Sequence, residues 1–353
     1  MSLEETIYRI PAPDREAMEA AEVRQSHLTK PAGALGRLEK LGVRLAGITG
    51  SDRPRFPDSV LVVAAASHGV AEEGVSAYPA SVTAQMVRNI LEGGAAINVL
   101  CAAAGARLVV VDAGVAPEPE RHPELRSFPP APGTRNMLRE PAMPPGHARA
   151  TIESGIELVE ELADSGATLL GLGDMGIGNT TAAAAVVSAI TGEPVEEVTG
   201  RGTMIGDEML ERKRAVISGA LERHRPDPDD ALGVLEAVGG YEIGFLAGCC
   251  LGAAARRIPT VLDGLPVVSA ALLADRLAPE TKNSMISGHR SAEPGQSIAL
   301  RRLGLEPLLE LGIRLGEGSG AALAMPVVVA AARALDEMAT FDEAGVDEET
   351  DAG

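Results

Sequence analysis

Short apolar runs alternate along the chain with longer stretches of helical periodicity. The runs SVLVVAAA at 59–66, RLVVVDAG at 107–114, ATLLGLGDMG at 167–176 and IPTVLDGL at 258–265 are aliphatic and lead into Gly beside a polar residue. Runs of this length and composition read as strands buried on both faces. Between them, TAQMVRNILEGGAAINVLCAAAG and TTAAAAVVSAI read as helical. The first fifty residues are helical too. Ala17, Ala20 and Ala21 belong to one stretch, and Leu35, Leu38, Leu41 and Leu45 recur at helical spacing after a break at Lys30-Pro31 and Gly33.

Strands alternating with helices predict an α/β fold. Its parallel sheet is covered by helices on both faces, Rossmann-like, with a smaller helical lobe from the N- and C-terminal segments. The expected boundaries are 1–50 for the helical segment of the lobe, 51–310 for the large α/β domain, and 311–353 for a glycine-rich loop, a last helix and an acidic tail. Ligands of such sheets collect beyond the carboxyl ends of the strands. His68, Asp112, Asp174 and Asp263 fall there. Residues 116–149 are Pro-rich and form a long connection, which inside a domain is usually functional or mobile.

Composition narrows the picture. Aromatic residues are 2% of the 353 and Trp is absent, so the core must be Ala, Val, Leu and Ile packed against 40 Gly. The formal net charge of -19 opposes binding to nucleic acid or anionic membranes. Part of the acid excess lies in Asp347, Glu348, Glu349 and Asp351, which reads as a solvated tail. Cys101, Cys249 and Cys250 have neither disulfide nor zinc spacing and read as buried thiols. The charged N-terminus lacks a signal-peptide core, and no run has ~20 unbroken apolar residues. The expectation is a soluble cytoplasmic protein.

Four local features could carry chemistry. Gly173 to Thr181, GDMGIGNTT, places a glycine-rich turn between a strand and a helix, where free N–H groups and the helix dipole suit a phosphate. It is neither a P-loop nor a dinucleotide fingerprint, and a capped helix after a tight turn explains it equally well. RLGEGSG sets Glu317 between two glycines before a helix. That carboxylate could meet a ligand closely, or simply stabilise the helix N-terminus. In SGHRSAEPG, His289 could be an acid/base group, although a structural role is favoured, as it is for His68. Lys213, within MLERKRAV, reads by itself as part of a solvated helix face.

Together with LTKPAGALGRLE, HGVAEEGVSAYPASVTAQM, GGAAINVL, VVDAGV, GTRNM, VGGYEIGFLAG and VLDGL, these segments resemble the nicotinate-nucleotide:dimethylbenzimidazole phosphoribosyltransferase family. The resemblance runs from Ile10 to about Met338. It implies transfer of ribose 5-phosphate from nicotinate mononucleotide to a benzimidazole in cobalamin lower-ligand assembly, by a homodimer without cofactor or metal. It implies that Glu317 is the catalytic base, and that Gly176, Gly178, Asn179, Thr180, Thr181, Gly202, Lys213 and Ser291 bind the nucleotide. Tyr78, Met86, Asp174 and Leu315 would contact the base. Three positions depart from the family pattern: Asp174 stands where Glu is usual, Ser67 where Asp is usual, and Ala34 where Ser is usual. Two rival readings are a non-enzymatic nucleotide-binding relative, which Glu317 argues against, and a dehydrogenase or methyltransferase. The latter lacks its glycine turn after the first strand.

Overall fold

The computed structural model describes residues 1–202 and 204–347. Most of the expected acidic tail, including Glu348, Glu349 and Asp351, lies outside the described residues. Six strands form one sheet: β1 (Ser59–Ala66), β2 (Arg107–Gly114), β3 (Leu125–Ser127), β4 (Leu169–Met175), β5 (Thr260–Leu262) and β6 (Met285–Ser287). Their order is β3-β2-β1-β4-β5-β6, and every pairing is parallel.

The alternation of side chains along β1 divides the core. Val60, Val62, Ala64 and Ala66 join one apolar cluster, with the helices His147–Asp164, Asn179–Thr191, Tyr241–Ala255 and Leu265–Leu277. Leu61, Val63 and Ala65 join the other, with Arg37–Thr49, Val82–Leu91, Ala96–Ala104 and Ser319–Glu337. Every residue of β1 is buried, as an interior parallel strand requires. A third cluster (Ala17, Ala21, Val43, Ala46 and Leu335) joins two N-terminal helices to the end of the last long one.

Glycine does the work of fitting an aromatic-poor core. A Cβ at Gly155 would lie 2.0 Å from the Phe245 carbonyl oxygen, and one at Gly248 would lie 2.0 Å from that of Ile152. The helices His147–Asp164 and Tyr241–Ala255 therefore pack backbone to backbone at those points. The three thiols are buried as expected, and burial pushes Cys101 up to about 11 and Cys250 up to about 12.

Two details differ from the sequence reading, and a third bears on its membrane argument. The single helical stretch expected over 83–105 is two helices, because Gly93-Gly94 and Ala95 break it. The Pro-rich connection contains β3, whose three residues extend the sheet beyond β2. Ser319–Glu337 is long and apolar enough to cross a membrane by length and composition, but Ala321, Ala322, Ala324, Met325 and Val328 are buried against the sheet.

Candidate active site

In this strand order the connections leave β1 and β4 in opposite directions, so a crevice opens beyond their carboxyl ends. The glycine-rich loop after β4 fills one side of it. Gly178, at φ +93°, precedes the helix Asn179–Thr191. The Ile177 N–H donates to Thr83 Oγ1 at 3.0 Å, which pins the loop to the helix Val82–Leu91. The N–H groups of Gly178 and Thr180 have no partner among the described residues. Lys213 is 1% exposed, in contrast to the solvated position its sequence neighbours suggest. Its Nζ donates to Thr180 Oγ1 at 2.9 Å and to the Gly200 carbonyl at 3.3 Å. Burial lowers the Lys213 pKa, and the Glu293 carboxylate partly offsets this. Glu293 Oε1 accepts the Gly202 N–H at 2.7 Å.

Glu317 follows Gly316 of the same crevice, in a run of three left-handed residues: Gly316 at +83°, Glu317 at +59° and Gly318 at +86°. A non-glycine residue in that region costs energy and persists only where its surroundings hold it. Here they do. The Glu317 N–H donates to the Asp174 carbonyl at 3.1 Å. Asp263, at the end of β5, accepts from Gly318 at 3.1 Å, Gly320 at 2.7 Å and Ala321 at 3.3 Å, fixing the start of the helix Ser319–Glu337. Gly173 on β4 makes room, since a Cβ there would lie 2.4 Å from the Gly318 nitrogen. Glu317 is 6% exposed, and its Oε2 has no hydrogen-bond partner among the described residues. Burial raises its pKa, an N–H from Ile97 lowers it, and the Asp263 charge raises it. A carboxylate so placed can accept a proton from a bound ligand.

Asp174 is a further carboxylate of the crevice. Its Oδ2 accepts from Asn179 Nδ2 at 2.8 Å, and its Oδ1 is buried without a partner among the described residues. Burial first, then the negative charges of Asp263 and Glu242, raises its pKa well above the usual carboxylate range; Asn179 opposes this, and Glu317 adds to it. An acid whose folded pKa is raised holds its proton more tightly in the native state. Its contribution to stability is therefore full below the unfolded pKa and is lost as pH rises through the folded one. Asp174→Asn, which keeps an acceptor for Asn179, should thus stabilise the protein more at neutral and alkaline pH than near pH 4. Thermal melts of both proteins across pH check this, and a Tm difference independent of pH contradicts it.

The crevice is a cavity of about 850 Å³ counted out to its open mouth. It brings together nine of the residues singled out in the sequence: Asp174, Gly176, Gly178, Asn179, Thr180, Gly202, His289, Ser291 and Leu315. Lys213 lies directly behind Thr180, and Glu317 directly follows Gly316 of the lining. Three others are outside it. Thr181 is fully buried and gives its N–H to Gly178 at 3.0 Å. Tyr78 is exposed, and Met86 packs against the second apolar cluster. Asp112 turns away to cap its own strand end, accepting from Gly114 and Val115 at 2.9 and 2.8 Å. His289 lines the cavity with Nε2 3.3 Å from Asp263 Oδ1. Glu293 and Arg314 also line it; neither was chosen from sequence, although both sit inside the motifs quoted there.

A parallel sheet with a glycine-rich turn at a helix start and a buried carboxylate near the same crevice is a frame for nucleotide chemistry, and the comparisons give its class. Residues 10–346 match the family DBI_PRT, described as phosphoribosyltransferase. The nicotinate-nucleotide–dimethylbenzimidazole phosphoribosyltransferase of Chloroflexus aggregans is 57% identical over 350 residues, covering 99% of each chain. That of a Roseiflexus species is 56% identical, covering 98% of each. A solved structure of the same-named enzyme from Thermus thermophilus superposes with a TM-score of 0.90 at 48% identity, covering 95% of this chain and all of that one. The chain belongs to this phosphoribosyltransferase family and is an enzyme.

Proposed function

We propose that the protein transfers ribose 5-phosphate from nicotinate mononucleotide to 5,6-dimethylbenzimidazole, giving nicotinate and α-ribazole 5′-phosphate for cobalamin lower-ligand assembly, with Glu317 as general base. The observation that carries this reading is the buried Glu317 oxygen without a partner among the described residues, one residue beyond Gly316 of a cavity that the Gly176–Thr180 loop also lines.

One benzimidazole nitrogen attacks the anomeric carbon as the bond from that carbon to the pyridinium nitrogen breaks. The electron pair leaves with nicotinate, whose ring nitrogen becomes neutral, so no leaving-group acid is needed. The proton on the second benzimidazole nitrogen passes to Glu317. A placed base of this kind contributes about 10²–10⁴-fold, and holding both rings in line adds to it. Free N–H groups of the loop, with Gly202, Ser291 and Lys213, would hold the phosphate; Thr181 would act only by closing the helix turn. Leu315 and Val75 offer apolar walls to the base. Contacts from Tyr78 and Met86, the homodimer and the cytoplasmic setting rest on the family resemblance alone.

Attack from the face opposite nicotinate inverts the sugar. NMR of the product should therefore show the α-anomer, and a β-product would overturn the in-line geometry. Asp174 tests the base pocket. Asp174→Glu should alter the ratios of kcat/KM among dimethylbenzimidazole, benzimidazole and adenine, and Asp174→Ala should cost more activity than the lengthening. Equal ratios in all three proteins would remove Asp174 from acceptor choice.

A further inference from the structure

Beneath the anion loop lies a buried pair that the reaction does not touch. His68 Nε2 and Glu242 Oε1 are 2.7 Å apart, with side chains 1% and 0% exposed. His68 follows β1, and Glu242 lies in the first turn of the helix Tyr241–Ala255. Three glycines are fitted around His68. A Cβ at Gly176 would stand 3.3 Å from Nε2, one at Gly178 would stand 3.3 Å from the His68 Cβ, and one at Gly240 would stand 2.4 Å from Cε1. The loop thus rests on this residue, and Gly240 opens the helix start to receive its ring.

Stability alone does not account for such a pair, because apolar residues of similar volume often serve a core as well or better. A short buried hydrogen bond to a side chain on a helix instead fixes one orientation of the ring. The geometry points to a positioning role: the His68–Glu242 pair sets the height of the Gly176–Gly178 loop, and so where its N–H groups meet the nucleotide phosphate. This rests on the reading of that loop as the phosphate site.

The test compares KM for each substrate and kcat in His68→Ala, Glu242→Ala and Glu242→Gln, with Gly178→Val as a control on the loop itself. Both alanine variants should raise KM for nicotinate mononucleotide by about tenfold or more, since each leaves a buried partner unsatisfied. KM for dimethylbenzimidazole, and kcat at saturating nucleotide, should change far less. Glu242→Gln keeps an acceptor for the imidazole and should restore most of the loss. If alanine prevents folding, His68→Asn replaces it, and the rise in Tm produced by inorganic phosphate is read instead; that rise should shrink relative to wild type. An unchanged nucleotide KM, an unchanged phosphate effect, or a parallel loss of both KM values and kcat in a folded variant would overturn the positioning role. If Gly178→Val raised only the KM for the base, the loop would not be the phosphate site, and the reading beneath this inference would fail first.

Discussion

Glu317→Gln should lower kcat by about 10²–10⁴-fold, the usual worth of a placed general base. The substitution keeps the side-chain volume, and the backbone hydrogen bonds that hold the turn, Glu317 N–H to the Asp174 carbonyl and Gly318 N–H to Asp263, do not involve the exchanged group. KM for nicotinate mononucleotide should therefore move little if the Gly176–Thr180 loop, and not Glu317, holds the phosphate as proposed. Thermal stability should hold or rise slightly, since a buried carboxylate costs desolvation that a neutral amide avoids. Steady-state kinetics with a melt on the same sample separate these effects. Turnover within a few-fold of wild type would remove Glu317 from the base role.

Gly173→Ala should be nearly as damaging, though residue 173 is a glycine with no chemistry of its own. A Cβ there would sit 2.4 Å from the Gly318 nitrogen, 2.5 Å from its Cα and 2.7 Å from the Glu317 carbonyl carbon. All three are backbone atoms, and Asp263 ties the helix start behind them. The turn carrying Glu317 must move, and overpacking of this kind typically costs about 1–3 kcal/mol. A misplacement approaching ~1 Å at a reacting group can cost about 10²-fold in rate. Gly171→Ala is the control. It lies two residues back on the same face of β4, but its new methyl would meet the Met325 sulfur at 2.9 Å and the Leu61 side chain, which can give. It should lose less stability and almost no kcat. Equal kcat in the two variants would show that the Glu317 turn does not depend on the clearance at Gly173.

The two variants also mark what could be read from the chain and what could not. β1 and β2 were legible to the residue, because an interior parallel strand is a continuous aliphatic run with few alternatives. β3 and β6 were not, being three residues each, shorter than any pattern that separates strand from loop. The anion loop and Glu317 were visible as glycine-framed motifs. The strain at Glu317 was not, because it depends on Gly173 and Asp263, remote in sequence. Lys213 shows a signal passed over. Leu210, Lys213, Ile217 and Ala220 share the buried face of the helix Asp207–His224, so helical spacing alone sets the lysine on the apolar stripe. Its charged neighbours, Glu211, Arg212 and Arg214, drew the reading toward solvent. Tyr78 and Met86 came from the resemblance, and nothing in their local pattern indicated that the cavity would leave them outside.

The proposed reaction is a transfer between two bound rings with Glu317 as base. Its most direct test is a single incubation of the protein with nicotinate mononucleotide, with and without dimethylbenzimidazole, following released nicotinate and new nucleotide together. Nicotinate and α-ribazole 5′-phosphate should appear in equal amounts, only when the base is present, and Glu317→Gln should suppress both. Nicotinate released without the base at the same rate, or no release with both substrates present, would contradict it.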